Sequence, residues 1–321
     1  MAAEPPTKRK RTQMEAPTRS DRFWLPYGDI ILSVQDVLFR VNRDILILQS
    51  PVFSDMFSVA QSGEQESLEG VSLVQLPGDS RQDWEQILEV LYHPLKMEKR
   101  MKVALLCAML RLGHKYQMSA FTDAAITRLH DQFPSELDKV CMTWRGDCID
   151  LEDPRLLLSL VSAARATGVW TSYPRLAYTC INRLQMSDIS RSPDASPELK
   201  IDLAVAAERL AKYHQQHTAW LSSDNIIPAY NCSKPGICPA LVEAMYQLMI
   251  WGTETQKFSL FANWQGQMLC SATSELCSHC TKAGRAELRK AHEKAWEALP
   301  TFFGLAPWTE LKDDEALSGE H

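Results

Sequence analysis

The sequence predicts an α+β chain: a small mixed sheet with helical hairpins at the amino end, followed by an all-helical C-terminal region. Three observations carry this. Alternating β-like runs are confined to the first quarter, helical spacing of apolar residues governs the remainder, and only 13 of 321 residues are glycine, below the ordinary ~7%. At ~150 residues per domain the length suggests about two domains. The expected boundaries are a disordered basic arm over 1–22, the mixed domain over 23–130, the helical region over 135–310 and an acidic frayed tail over 311–321.

The first 22 residues hold three prolines and no apolar run, so ordering them would not bury enough surface to offset the lost entropy. From Asp29 the pattern changes. Ile30, Leu32 and Val34 share one side of a strand, Val37, Phe39 and Val41 share one side of the next, and Gln35-Asp36 supplies a tight turn. Ser50-Pro51 reads as a helix start, because the hydroxyl satisfies free amides and proline already has a helical φ. Val52, Phe53, Met56 and Phe57 follow at helical spacing, then a third β-like run at 71–76. Ser80 with Asp83 opens a helix whose inward face is Trp84, Ile87, Leu88 and Leu91. Helices are expected near 101–116 and 119–131 and, beyond Phe133-Pro134, near 154–167, 172–186, 197–221, 238–251 and 282–299, with Gly168 as a stop signal.

These elements, in this order, resemble the BTB/POZ domain. The resemblance rests on Asp29-Ile30-Ile31-Leu32-Ser33-Val34, on Phe39-Arg40-Val41-Asn42-Arg43-Asp44-Ile45-Leu46, on Ser50-Pro51-Val52-Phe53 with Met56-Phe57, on Val74-Gln75-Leu76 and on Leu91-Tyr92. Asp29, Phe39, Asp44, Ser50, Phe53, Met56 and Phe57 are its structural signature here. Asn42 departs from the pattern, since members usually carry histidine there. Phe23-Trp24 and the closing segments from Trp296 to Pro300 and from Phe303 to Trp308 are similar to BTB proteins of mushroom-forming fungi, the basidiomycetes. The resemblance implies a non-enzymatic protein-protein interaction module acting by dimerisation or partner capture. Alternatives within it are a substrate adaptor of a cullin ubiquitin ligase and a nuclear transcriptional regulator. Many animal members exchange an extra helix ahead of the first strand; this chain offers only Ser20–Pro26 there.

Charge and composition narrow the partners. The net charge of −6 divides into +3 on the arm and −9 on the rest, a body unsuited to phosphate backbones, so no direct nucleic-acid partner is expected. The longest apolar run is eight residues, 103–110, far below the ~20 that span a bilayer, and no apolar stretch follows the basic block as in a secretory signal. A soluble, intracellular protein of nucleus or cytoplasm is expected, with Lys8–Arg11 readable as a nuclear signal or as a solvated arm. Phosphate-cradling, dinucleotide-binding and nucleophile-elbow glycine motifs do not occur in the chain.

Nine cysteines, an odd number, are expected to be reduced. Among them Cys232 and Cys238 flank a Lys-Pro-Gly turn, and Cys277 and Cys280 form a Cys-x-x-Cys, with 38 residues between the pairs. Two such knuckles can hold one structural zinc through four thiolates. Against it, five residues between the first pair exceed the usual two to four, and Cys270 and His279 compete as ligands. Separately buried cysteines are the competing reading, and a thiol nucleophile is a third, disfavoured because a redox Cys-x-x-Cys normally follows a strand.

Overall fold

The computed structural model describes residues 17–59, 66–94, 100–142, 148–218, 226–251, 258, 260–261 and 275–314. Two compact units divide the chain, residues 1–96 with 116–118, and residues 97–115 with 119–321.

The first unit contains β1 (Thr18–Trp24), β2 (Ile30–Val34), β3 (Val37–Val41), α1 (Arg43–Gln49), α2 (Pro51–Val59), β4 (Ser67–Leu68), β5 (Val71–Gln75) and α3 (Arg81–Tyr92). Its sheet has the order β1-β3-β2-β5-β4. The hairpin forms as the alternation implies, in register from Val34 opposite Val37 to Ile30 opposite Val41, around Gln35 at a left-handed φ of 53°. Every residue of β2 is buried, not one side alone. The reason is position: β2 lies between β3 and β5, paired parallel to the latter, and a central strand covered on both faces loses its polar side.

The arm ends earlier than expected. Residues 18–22, assigned to it from the sequence, belong to β1, which runs parallel to β3. Phe23 is buried, a gain of ~1.5–3 kcal/mol for a side chain of this size, and the Ser20 hydroxyl accepts the Phe23 N–H at 3.2 Å. Arg19 pairs with Glu69 and Arg22 with Glu89, and the Arg19 guanidinium lies 4.5 Å from the Trp24 ring centre. Both ion pairs are largely exposed and add little; the buried ring decides. Residues 1–16 lie outside the described residues.

Helix starts follow the chemistry read from the sequence. The Ser50 hydroxyl accepts the Phe53 N–H at 3.1 Å and donates to the Tyr116 carbonyl at 2.5 Å. The Ser80 hydroxyl accepts the Asp83 N–H at 3.4 Å. Behind these caps an aromatic core assembles: Phe53 stacks on Tyr116 with centroids 4.6 Å apart and meets Trp84 edge-on at 5.8 Å. Buried Asp79 accepts hydrogen bonds from Trp84 Nε1 at 2.8 Å and Tyr116 Oη at 2.5 Å. Burial, then the Asp79 carboxylate, pushes the Tyr116 phenol far above its ordinary pKa.

The second unit contains β6 (Met101–Lys102), α4 (Val103–Tyr116, its last residue counting with the first unit), α5 (Ser119–Gln132), α6 (Leu137–Met142) and β7 (Ile149–Asp150). It continues with α7 (Leu156–Ala166), α8 (Tyr173–Arg183), α9 (Met186–Arg191), α10 (Pro197–Thr218), α11 (Cys238–Trp251) and α12 (Ser278–Phe302). Apart from the two-residue parallel pair β6–β7, the described elements of this unit are helices. Ser196 caps α10 by accepting the Leu199 N–H at 3.2 Å, and Gly168, at φ 72°, follows the end of α7. Trp296 and Trp308 stack with centroids 5.0 Å apart, and Trp308 Nε1 donates to the Trp296 carbonyl at 2.6 Å. That pair fastens the segment after α12.

The acidic end is anchored where fraying was expected. Asp313 accepts from the Thr171 N–H at 2.8 Å and the Thr171 hydroxyl at 2.9 Å, and Asp314 accepts from Trp170 Nε1 at 3.1 Å. The Asp314 N–H donates to the Gly168 carbonyl at 3.0 Å. A Cβ on Gly168 would lie 1.9 Å from an Asp314 carboxylate oxygen, so glycine is required there for the close approach as well as for the turn. Residues 315–321 lie outside the described residues.

Three histidines are buried in this unit: His214 and His217 on α10 and His292 on α12. The His217 and His292 rings are nearly parallel, 6.2 Å apart. Burial first, then the His292 and His214 rings, pushes His217 down from 6.5 to about 4. The unfolded chain therefore binds a proton near pH 6.5 that the folded chain refuses until about pH 4. Stability is full above the higher value and is lost as pH falls between the two. We expect urea midpoints to report a loss of about 2 kcal/mol at pH 5 relative to pH 7.5, and His217→Gln to flatten that slope.

Candidate functional site

Cys232, Cys238, Cys277 and Cys280 converge, with all four sulfurs within 4.8 Å of one another. Local structure explains how a five-residue spacing closes as well as a two-residue one. The Cys232 N–H donates to the Ala229 carbonyl at 2.8 Å, and the Ile237 and Cys238 N–H groups both reach the Lys234 carbonyl at 3.0 Å. The first turn delivers the chain to Cys232, the turn on Lys234 takes up the five residues that follow, and Cys238 becomes the first residue of α11. Cys277 is the N-cap of α12, its sulfur accepting the Cys280 N–H at 3.5 Å. Lys234 Nζ ties the loop to the Glu275 carbonyl at 2.9 Å.

The environment pulls the cluster's thiols in opposite directions. The amino ends of α11 and α12, where partial positive charge accumulates, both carry a cysteine of the cluster. Backbone donors supplement them: the Cys277 N–H reaches Cys238 Sγ at 3.5 Å and the Ala229 N–H reaches Cys280 Sγ at 3.4 Å. The Cys280 N–H and, more weakly, Ser233 hold the Cys277 thiol well below the usual thiol range. Burial pushes Cys280 and Cys238 up. Removing protons from four clustered sulfurs in such a place calls for a compensating cation. Cys238, Cys277 and Cys280 are buried and Cys232 is partly exposed, and Ile227, Val242, Met245, Leu276 and Leu288 pack with them into one apolar cluster.

The rival ligands separate out. His279 is exposed and outside the cluster, and Cys270 lies outside the described residues. A further polar constellation among the described residues is His130, Thr171 and Asp313. Thr171 Oγ1 lies 2.7 Å and Asp313 Oδ2 3.1 Å from the same His130 nitrogen, Nε2. A proton relay needs the two ring nitrogens to serve different partners, so this group is a clasp for the acidic end.

The other candidate is the surface of the first unit. Asp29 Oδ1 accepts the Arg43 N–H at 2.7 Å at the start of α1, and Asp44 is exposed in the same first turn. Phe39, Ser50, Phe53 and Phe57 are buried, and Met56 is half-buried. Asn42 is held at both ends: its N–H and Oδ1 meet the Tyr92 hydroxyl at 2.9 and 3.2 Å, and Nδ2 donates to the Tyr27 carbonyl at 3.3 Å. Leu48 on α1 stands 81% exposed, one turn from half-buried Ile45.

The first unit is thus a mixed sheet braced by short helices, with Leu48 left uncovered on one of them. Residues 22–132 match the family model of the BTB/POZ domain, and the chain carries that domain there. No curated protein matches the chain. No helix among the described residues is long and apolar enough to cross a membrane.

Proposed function

We propose that the chain is a non-enzymatic interaction protein whose BTB domain joins it to a second copy of itself, while a structural zinc in the helical region holds Cys232, Cys238, Cys277 and Cys280. The observation that carries self-association is Leu48, a large aliphatic side chain 81% exposed beside partly covered Ile45. An isologous contact buries the same apolar residue twice, and each leucine so covered contributes ~1.5–3 kcal/mol. The partner is drawn to a helix face, not to the sheet rim: Arg19, Asp21 and Arg22 are exposed along β1, and charged side chains on an edge strand discourage strand addition.

Sedimentation of the full chain should show a dimer at micromolar concentration. Leu48→Asp should weaken it at least tenfold while leaving the melting temperature unchanged. A monomeric wild-type chain would remove self-association, and a variant dimer of equal affinity would remove Leu48 from its interface.

Zinc is the metal that the donor set favours. Four thiolates in a largely apolar setting, enough to fill a tetrahedral sphere, match a structural centre of four cysteines, and soft sulfur excludes magnesium or calcium. The residues would supply all four bonds, so the metal's contribution is to folding.

A further inference from the structure

Resting on the zinc reading above, we propose that Cys232 is an oxidative modification site at which a hydroperoxide converts the metal centre into a Cys232–Cys277 disulfide and releases the zinc. Three observations single out this sulfur. Cys232 is the member of the cluster that is only partly buried; Cys238, Cys277 and Cys280 are fully so, and thiolates oxidise according to their exposure. Backbone N–H groups reach Cys238, Cys277 and Cys280, whereas among the described residues no backbone N–H donates to Cys232 Sγ. A hydrogen bond to a thiolate withdraws electron density from the lone pairs that would attack an oxidant, so Cys232 keeps the most nucleophilic sulfur of the four. Its neighbour Cys277 Sγ is 3.8 Å away, near enough to resolve the first oxidation product without refolding.

The chemistry closes in two steps. The Cys232 thiolate attacks one peroxide oxygen; the O–O bond breaks, leaving a sulfenic acid on Cys232 and a hydroxide that a buffer acid protonates to water. The Cys277 thiolate then attacks the Cys232 sulfur; the S–S bond forms, the S–O bond breaks and a second hydroxide leaves. Two thiolates lose two electrons and the hydroperoxide gains them. Zinc, left with two of four sulfurs, dissociates, and Cys238 and Cys280 take up protons. A dithiol reductant with added zinc reverses the change.

The test uses the purified full chain, its zinc content measured first, then treated with hydrogen peroxide. Released zinc is followed with a chromogenic chelator, and the cross-link is mapped by mass spectrometry after alkylation of free thiols. We expect one zinc freed per chain, a Cys232–Cys277 cross-link formed in step with it, and both reversed by dithiothreitol and zinc. Cys232→His, which keeps a fourth ligand but removes the sulfur, should retain zinc and release it at least tenfold more slowly. If that variant does not hold zinc, mapping of the wild-type cross-link decides alone. Zinc present at the outset but a cross-link between Cys277 and Cys280, or release from Cys232→His at the wild-type rate, overturns this proposal and leaves the zinc reading standing. Absence of zinc before peroxide is added overturns both.

Discussion

Cys280→Ser is expected to reduce the zinc content from one per chain to none and to unfold the segment around the cluster, with a loss of several kcal/mol. Zinc binding to a four-ligand site in small domains contributes ~10–16 kcal/mol of apparent free energy at neutral pH, and a site that folds only with its metal forfeits much of that when one ligand goes. The effect should be local. Ile227, Val242, Met245, Leu276 and Leu288 form their apolar cluster around the sulfurs, so the amides of 226–245 and 276–288 should lose exchange protection while the aromatic core of the first unit keeps it. A strong chelator applied to the wild-type chain should produce the same pattern, and added zinc should restore it. Unchanged exchange in the metal-free chain would mean that the four sulfurs pack without an ion. Cys148→Ser is a matched control: Cys148 lies outside the cluster and its thiol donates to the Arg128 carbonyl at 3.4 Å.

Asp79→Ala should cost about 3 kcal/mol, because it leaves two donors, Trp84 Nε1 and the Tyr116 hydroxyl, without their shared acceptor. Each buried group stripped of its partner costs about 1–3 kcal/mol. Asp79→Asn retains one carbonyl acceptor and should recover about half of the loss. Chemical unfolding of the three proteins, followed by tryptophan fluorescence, checks the order. Equal stability of Asp79→Ala and wild type would show that the aromatic packing alone holds this core.

Asp79 was not legible in the sequence. It sits in a Pro-Gly-Asp-Ser turn that reads as a surface loop, and nothing in local spacing tells that Trp84, five residues on, and Tyr116, thirty-seven residues on, turn back to it. What was legible is whatever depends on short-range chemistry: the hairpin at Gln35-Asp36, the serine caps at Ser50 and Ser80, and the stop at Gly168. β1 escaped because only Ser20 and Phe23 of its first six residues are buried, too few to signal a strand among arginines and aspartates. β4 escaped through its length of two residues. The cysteine cluster was readable from residue type, while the closure of its five-residue arm was not, because it depends on the turn at the Lys234 carbonyl between Cys232 and Cys238. The clasp of Asp313 and Asp314 on Gly168 and Thr171 spans more than 140 residues, beyond any periodic pattern.

Stitching Thr18 beside Val37 shortens the leash on the basic block. From that stitch Arg11 is seven residues away and Lys8 ten, and a fully stretched backbone covers at most ~3.6 Å per residue. Whatever molecule engages Lys8–Arg11 must therefore come within about 35 Å of the β1 rim.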